Sequence, residues 1–234
     1  MVDRLRDIPG VVAVALGGSR AAGTHTPKSD WDFGLYYRGA IDVDAIRSLG
    51  YPGTVVEPGE WGRLVNGGAW LTIDGQHVDL LYRDLDAVEH WLREAESGRY
   101  QRDHVEGYVA GMTTYVLAGE LALNRVLHGS LPRPEFPEPL RRSAPRNWYG
   151  SAQFSLRIAA KWLHSGDVPS ALGLTIKASI AAAQAILAER GEWALNEKRI
   201  LERADLGQVG DRVLRLGDAA AVAMLIDDVR AVVP

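Results

Sequence analysis

The hydrophobic rhythm of the chain changes near residue 100. Before it, short apolar runs alternate with polar punctuation; after it, apolar positions recur at helical spacing. Residues 11–16 (VVAVAL) form a continuous apolar run of strand length that ends in Gly17-Gly18-Ser19. A short helix is predicted next, and Pro27 breaks it. WDFGLYY, residues 31–37, reads as a second strand, opened by Asp30 and Asp32. A helical stretch over 43–49 closes at Gly50, and residues 53–57 read as a short strand. Residues 70–73 and 77–82 flank Asp74-Gly75, a strong hairpin signal. In the run HVDLLYR, Val78, Leu80 and Tyr82 share one face, and His77, Asp79 and Leu81 the other. A helix is predicted over 84–96, with Asp84 as its N-cap and Ser97-Gly98 as its end.

Residues 103–127 are apolar-periodic throughout and predict one long helix. The connector LPRPEFPEPL follows, whose prolines exclude a helix interior, and Pro145 extends that exclusion. Further helices are predicted at 146–164, 168–190, 196–204 and 208–231, with breaks at 165–167, Gly191 and Gly207. There is no internal repeat. The pattern predicts an α+β chain: a mixed-sheet domain over 1–98, then a helical bundle over 99–234.

Composition narrows the setting. With 234 residues the chain can hold one large or two small domains. It has no cysteine, so disulfides and Cys-based zinc sites are excluded. No apolar run approaches a membrane span, and MVDRLRDIPG lacks the apolar core of a signal peptide, so a cytoplasmic location is expected. The net charge of −4, with no long basic tract, disfavours general nucleic-acid binding. Residues 1–98 carry 9 Lys/Arg against 15 Asp/Glu, and residues 99–234 carry 17 against 15. The acidic part suits a bound metal and the other part a supply of cations, or both are ordinary solvated surface.

The chemistry concentrates at the start of the second strand. Residues i and i+2 of a strand point the same way, so Asp30 and Asp32 project two carboxylates onto one spot. Like charges there repel unless neutralised, and a hard divalent cation such as Mg²⁺, which takes oxygen ligands, would do so. The glycine turn before a helix offers backbone N–H groups to a phosphate. Carboxylates for a metal beside a phosphate cradle point to phosphoryl or nucleotidyl transfer. The bland alternative is that Asp30 and Asp32 cap a turn.

Gly18-Ser19, a spacer of ten residues and Asp30-x-Asp32 resemble the nucleotidyltransferases of the DNA polymerase beta-like superfamily, whose pattern adds a third carboxylate on a later strand. Asp79 is the candidate for that third position. The two-domain layout is also similar to antibiotic nucleotidyltransferases acting on aminoglycosides or lincosamides. The resemblance implies Mg²⁺ held by Asp30, Asp32 and Asp79, and ATP or another nucleoside triphosphate as co-substrate. Gly17, Gly18, Ser19 and Ser29 would then lie on the nucleotide. A hydroxyl of a small acceptor would attack the α-phosphorus and release pyrophosphate. Many related enzymes build the site between two subunits, which leaves a homodimer open.

In the second half, Glu106, Thr113, Glu120 and Asn124 fall near one face of the predicted 103–127 helix. LAGELALNRV resembles a stretch of aminoglycoside nucleotidyltransferases in which a glutamate serves as general base. Glu120 is the candidate, shared with Asp79; its alternative is a structural ion pair with an arginine. Arg157 and Lys161 share a helix face, and Lys177 interrupts an apolar run. Lys161 and Lys177 are candidates for phosphate contact, with snorkelling to solvent as the alternative. Trp61 and Trp70 could stack on a base or sugar, or pack in a core. A reading of another class is an antitoxin-like protein of the same superfamily that binds a partner protein or modifies it with AMP.

Overall fold

The computed structural model describes residues 1–213, 215 and 219–233. In chain order the elements are α1 (Val2–Arg6), β1 (Val11–Leu16), α2 (Gly18–Ala22), β2 (Trp31–Tyr37), α3 (Val43–Arg47), β3 (Gly53–Val55), α4 (Gly62–Val65), β4 (Gly68–Ile73), β5 (Gln76–Asp84), α5 (Leu85–Glu96), β6 (Arg102–Asp103), β7 (Met112–Thr113), α6 (Val116–Leu123), β8 (Arg125–His128), α7 (Glu138–His164), α8 (Val168–Arg190), α9 (Ile200–Arg203), α10 (Gly207–Val213) and α11 (Ala219–Arg230).

The chain forms two compact units rather than dividing at one point near residue 98. One comprises Met1–Glu94 with Leu117–Glu135; the other comprises Ala95–Val116 with Phe136–Pro234. The first holds a six-stranded mixed sheet of order β3-β4-β5-β2-β1-β8. Only β2 and β5 pair in parallel; the other neighbours are antiparallel. The β4–β5 hairpin turns at Asp74-Gly75, where φ is +50° and +75°, the conformation a tight two-residue turn requires. One face of the sheet is dry: Leu35, Leu71, Val78, Leu80 and Tyr82 pack with Leu5, Val43 and Ile46 of α1 and α3. On the other face stand Trp70, Asp79 and Asp32, all less buried.

Among its described residues, the second unit holds helices α7 to α11 and the β6–β7 pair. α7 and α8 pack along each other, and α11 packs on both. Trp148 is buried there and donates its Nε1–H to the Tyr115 hydroxyl at 2.8 Å.

Several expectations need correction. Residues 103–127 are not one helix: Gly107 and Gly111 adopt φ of +84° and +97°, and β6, a loop, β7, α6 and the start of β8 share that span. A Cβ on Gly111 would lie 2.8 Å from the Asp103 carbonyl oxygen, so the chain doubles back tightly there. Helical periodicity cannot register such turns. Pro145 lies inside α7, which starts at Glu138; Pro139 fits its first turn, and the helix continues past one missing N–H at Pro145. The predicted 208–231 helix is two helices, α10 and α11, with Arg215 in a turn; its positions 214 and 216–218 lie outside the described residues. Contrary to the expectation that no run approaches a membrane span, α8 is long and apolar enough by composition, yet most of it is buried within the fold.

Candidate active site

The site begins where β1 stops. The Gly17 N–H donates to the Asp32 carbonyl at 2.8 Å, which ties the turn to the start of β2. That N–H is therefore spent, contrary to its expected use on a phosphate. Gly18 has φ +58°, and a Cβ on it would lie 1.8 Å from Oδ2 of Asp32. Glycine is thus required twice over, by the backbone angle and by a carboxylate lying against its α-carbon. Gly18 and Ser19 open α2, so their N–H groups have no acceptor within the helix.

The approach to β2 is held by Arg20, which sequence reasoning missed. Its Nε and Nη2 donate to the Ser29 carbonyl at 3.2 and 2.7 Å, and Nε also to the Asp30 carbonyl at 3.0 Å. Its guanidinium lies over the Trp31 ring, 4.1 Å from the centroid. The Ser29 hydroxyl accepts from the Thr26 N–H at 2.9 Å. Ser29 thus closes the loop before Asp30. The available signal was position: an arginine directly after Gly-Ser can reach back over a ten-residue loop.

Register brings in the third acid. Asp32 on β2 lies opposite Asp79 on the parallel strand β5. Burial pushes the Asp79 carboxyl up from 3.8 to about 6; the charges of Asp32 and then Asp30 add to the rise, and His77 opposes it. The three carboxylates therefore share one field. Among the described residues, no group of three or more His, Asp or Glu stands close enough to hold a metal ion. The donor set is nonetheless all carboxylate oxygen, with mutual repulsion already raising one member. That chemistry suits a hard divalent cation, which would relieve the repulsion.

Further along the same face, Tyr36 lies opposite Arg83 in the next-but-one step of the β2–β5 ladder. Gly34, between Asp32 and Tyr36, leaves room for the Tyr36 ring: a Cβ there would lie 2.8 Å from Cε2. Arg83, only 5% exposed, donates Nε and Nη2 to the two carboxylate oxygens of Glu120 at 2.6 and 2.8 Å. Arg83 also donates to the Val65 and Tyr82 carbonyls. Asn124 donates to the Tyr36 hydroxyl at 3.2 Å. Burial, with the Glu120 charge adding to it, pushes the Tyr36 phenol up, so it stays neutral. Of the expected face of Glu106, Thr113, Glu120 and Asn124, only the last two keep that relation. Glu106 is in an exposed turn and Thr113 is in β7. Both oxygens of Glu120 are engaged by Arg83, the geometry of a structural ion pair rather than of a free base. Arg83 was not foreseen; an arginine at the end of an otherwise apolar strand was its signal. Lys161 is exposed near the end of α7, and Lys177 is half-buried on α8, both in the second unit.

Residues 1–94 match the family model described as the nucleotidyltransferase domain. No curated protein matches the chain. Among solved structures, the chain is similar to a nucleotidyltransferase-like protein from Exiguobacterium sibiricum, with 12% identity and a TM-score of 0.48, covering 99% of this chain and 71% of that one. Over residues 1–94 the chain is similar to nucleotidyltransferase domains, a likeness that supports nucleotide transfer as the enzyme class.

Proposed function

We propose that the protein is a Mg²⁺-dependent nucleotidyltransferase that moves a nucleoside monophosphate, AMP from ATP, to a hydroxyl of a small molecule such as an aminoglycoside or lincosamide. Pyrophosphate is the leaving group. The observation that carries this reading is the placement of Asp79 opposite Asp32, with the Gly18 turn lying against the Asp32 carboxylate.

Asp30, Asp32 and Asp79 would hold the metal, which when bound offsets the charge of the triphosphate and of the departing pyrophosphate. The Gly18 and Ser19 N–H groups, with the Ser19 hydroxyl, orient the phosphates at the start of α2. Arg20 fixes the backbone at Ser29 and Asp30, so the first carboxylate has a defined position. Asp79 accepts the proton of the attacking hydroxyl at its carboxylate. Glu120 serves this site through Arg83: it holds the guanidinium and thereby the C-terminal half of β5. The residues contribute mostly by positioning the reacting groups. A cytoplasmic setting accords with the absence of cysteine.

The test is pyrophosphate release with each of the four nucleoside triphosphates and Mg²⁺, over a panel of aminoglycosides and lincosamides. Acceptor-dependent release that vanishes in Asp32→Ala, with the variant still folded by circular dichroism, is the expected outcome. A fully active Asp32→Ala variant would overturn the reading.

A further inference from the structure

On the open face of the sheet, Trp70 on β4 lies directly opposite Asp79 on β5. Trp70 is 55% exposed. An exposed indole beside a carboxylate offers an apolar face and a hydrogen-bonding group side by side. Trp70 is also not a loose surface residue. The Trp61 ring stacks on it, with centroids 4.5 Å apart and planes 24° from parallel. Room for Trp61 is made by Gly68, where a Cβ would lie 2.9 Å from Trp61 Cζ3. The fold thus holds two indoles as a rigid plate beside the acids.

The order of strands says what the plate faces. Across β4-β5-β2-β1 the functional groups run Trp70, Asp79, Asp32 and the Gly17–Ser19 turn. Three strand spacings separate the two ends, roughly 14 Å. In nucleotidyl transfer the attacking and leaving oxygens lie in line, on opposite sides of the reacting phosphorus. With the phosphates at the turn, the incoming hydroxyl arrives from the side of Trp70. Resting on the function proposed above, we infer that Trp70 and Trp61 form the acceptor subsite, and that they take the apolar C–H face of a saturated, hydroxylated, pyranose-type ring. The ring lies on Trp70 with a hydroxyl directed at Asp79. Without metal, the three carboxylates beside the plate disfavour an anionic occupant such as AMP and favour a neutral or cationic one. Trp70 and Trp61 set acceptor specificity and leave the nucleotide to the turn.

The test uses the whole protein, without nucleotide, labelled with ¹⁵N at its seven tryptophans. Trp70→Ala and Trp61→Phe assign two indole N–H signals. A glucosamine tetramer, its uncharged counterpart maltotetraose, and AMP are then titrated in turn. Both sugars should move the Trp70 and Trp61 signals, the cationic one at lower concentration. Trp70→Ala should raise the dissociation constant of either sugar by about tenfold. The subsite is overturned if neither sugar moves these signals, if AMP moves them as readily, or if Trp70→Ala leaves the constants within about twofold. Calorimetry of ATP with Mg²⁺ separates the two claims. Unchanged ATP binding in Trp70→Ala supports an acceptor-only plate, and lost binding overturns it. Failure of the wild-type protein to bind ATP would instead remove the proposed function, even if the sugars still bind.

Discussion

Asp79→Asn should make the metal-free protein more stable while abolishing turnover. The Asp79 carboxyl is pushed up to about 6 by burial and by the charges of Asp32 and Asp30, against an ordinary value of 3.8. The folded state therefore binds the proton more tightly than the unfolded chain. Below about pH 4 both states are protonated and the site costs nothing. As pH rises through about 6 the folded protein must ionise this carboxyl against its neighbours, and stability is lost. At neutral pH the difference corresponds to roughly 3 kcal/mol before screening, at 1.36 kcal/mol per pH unit. Asp79 is only half-buried, so solvent screening reduces this to about 1–2 kcal/mol. For a chain of this length that is a rise in Tm of about 3–6 °C. The assay is thermal unfolding of both proteins with EDTA at pH 7.5 and at pH 4. The Tm gap should be present at 7.5 and close at 4. Added Mg²⁺ should raise the Tm of the wild type and not of Asp79→Asn, narrowing or reversing the gap. An Asp79→Asn protein less stable than wild type at pH 7.5 in EDTA would refute the assignment of a shared, repulsive carboxylate field.

Other predictions address the groups that hold this site. Gly18→Ala should lower Mg²⁺-dependent ATP affinity by at least about 100-fold, because its methyl would occupy the Asp32 carboxylate position, whereas Gly23→Ala, with φ +72° and open space around it, should cost only the backbone strain of about 1 kcal/mol; calorimetry and thermal melts separate the two. Arg20→Ala removes donors from the Ser29 and Asp30 carbonyls and should cost about 1–3 kcal/mol of stability, together with turnover, measured by denaturant titration and pyrophosphate release. Glu120→Ala removes the carboxylate that both Nε and Nη2 of the buried Arg83 grip and should destabilise by about 3–5 kcal/mol, while Glu120→Gln should keep most turnover per folded molecule, against its loss in Asp79→Asn. A Glu120→Gln protein that is well folded yet inactive would restore Glu120 as the base.

Local signals placed the strands of the first hundred residues, though not the short helices α1 and α4. The apolar run at Val11–Leu16, the alternation in Gln76–Asp84 and the Asp74-Gly75 turn each specify their element within a few residues, because strand alternation and turn angles are short-range properties. The turn also sets a longer register: pairing Ile73 with Gln76 puts Trp70 opposite Asp79. The span 102–128 was illegible for the opposite reason. Its apolar spacing fits a helix, and only Gly107 and Gly111 in left-handed backbone reveal that it turns back on itself.

The sequence by itself determined which candidate groups this protein carries: carboxylates at Asp30 and Asp32, a glycine turn before them and an acid within an apolar strand. Tertiary structure alone decided how those groups meet. The Asp32–Asp79 pairing joins, across parallel strands, residues 47 positions apart in the chain, and no local rule sets that register. It likewise decided that Glu120 grips Arg83 and that Trp61 lies flat on Trp70 over Gly68. Those arrangements depend on which surfaces remain after the dry face of the sheet has packed, which is a property of the whole unit and not of any segment.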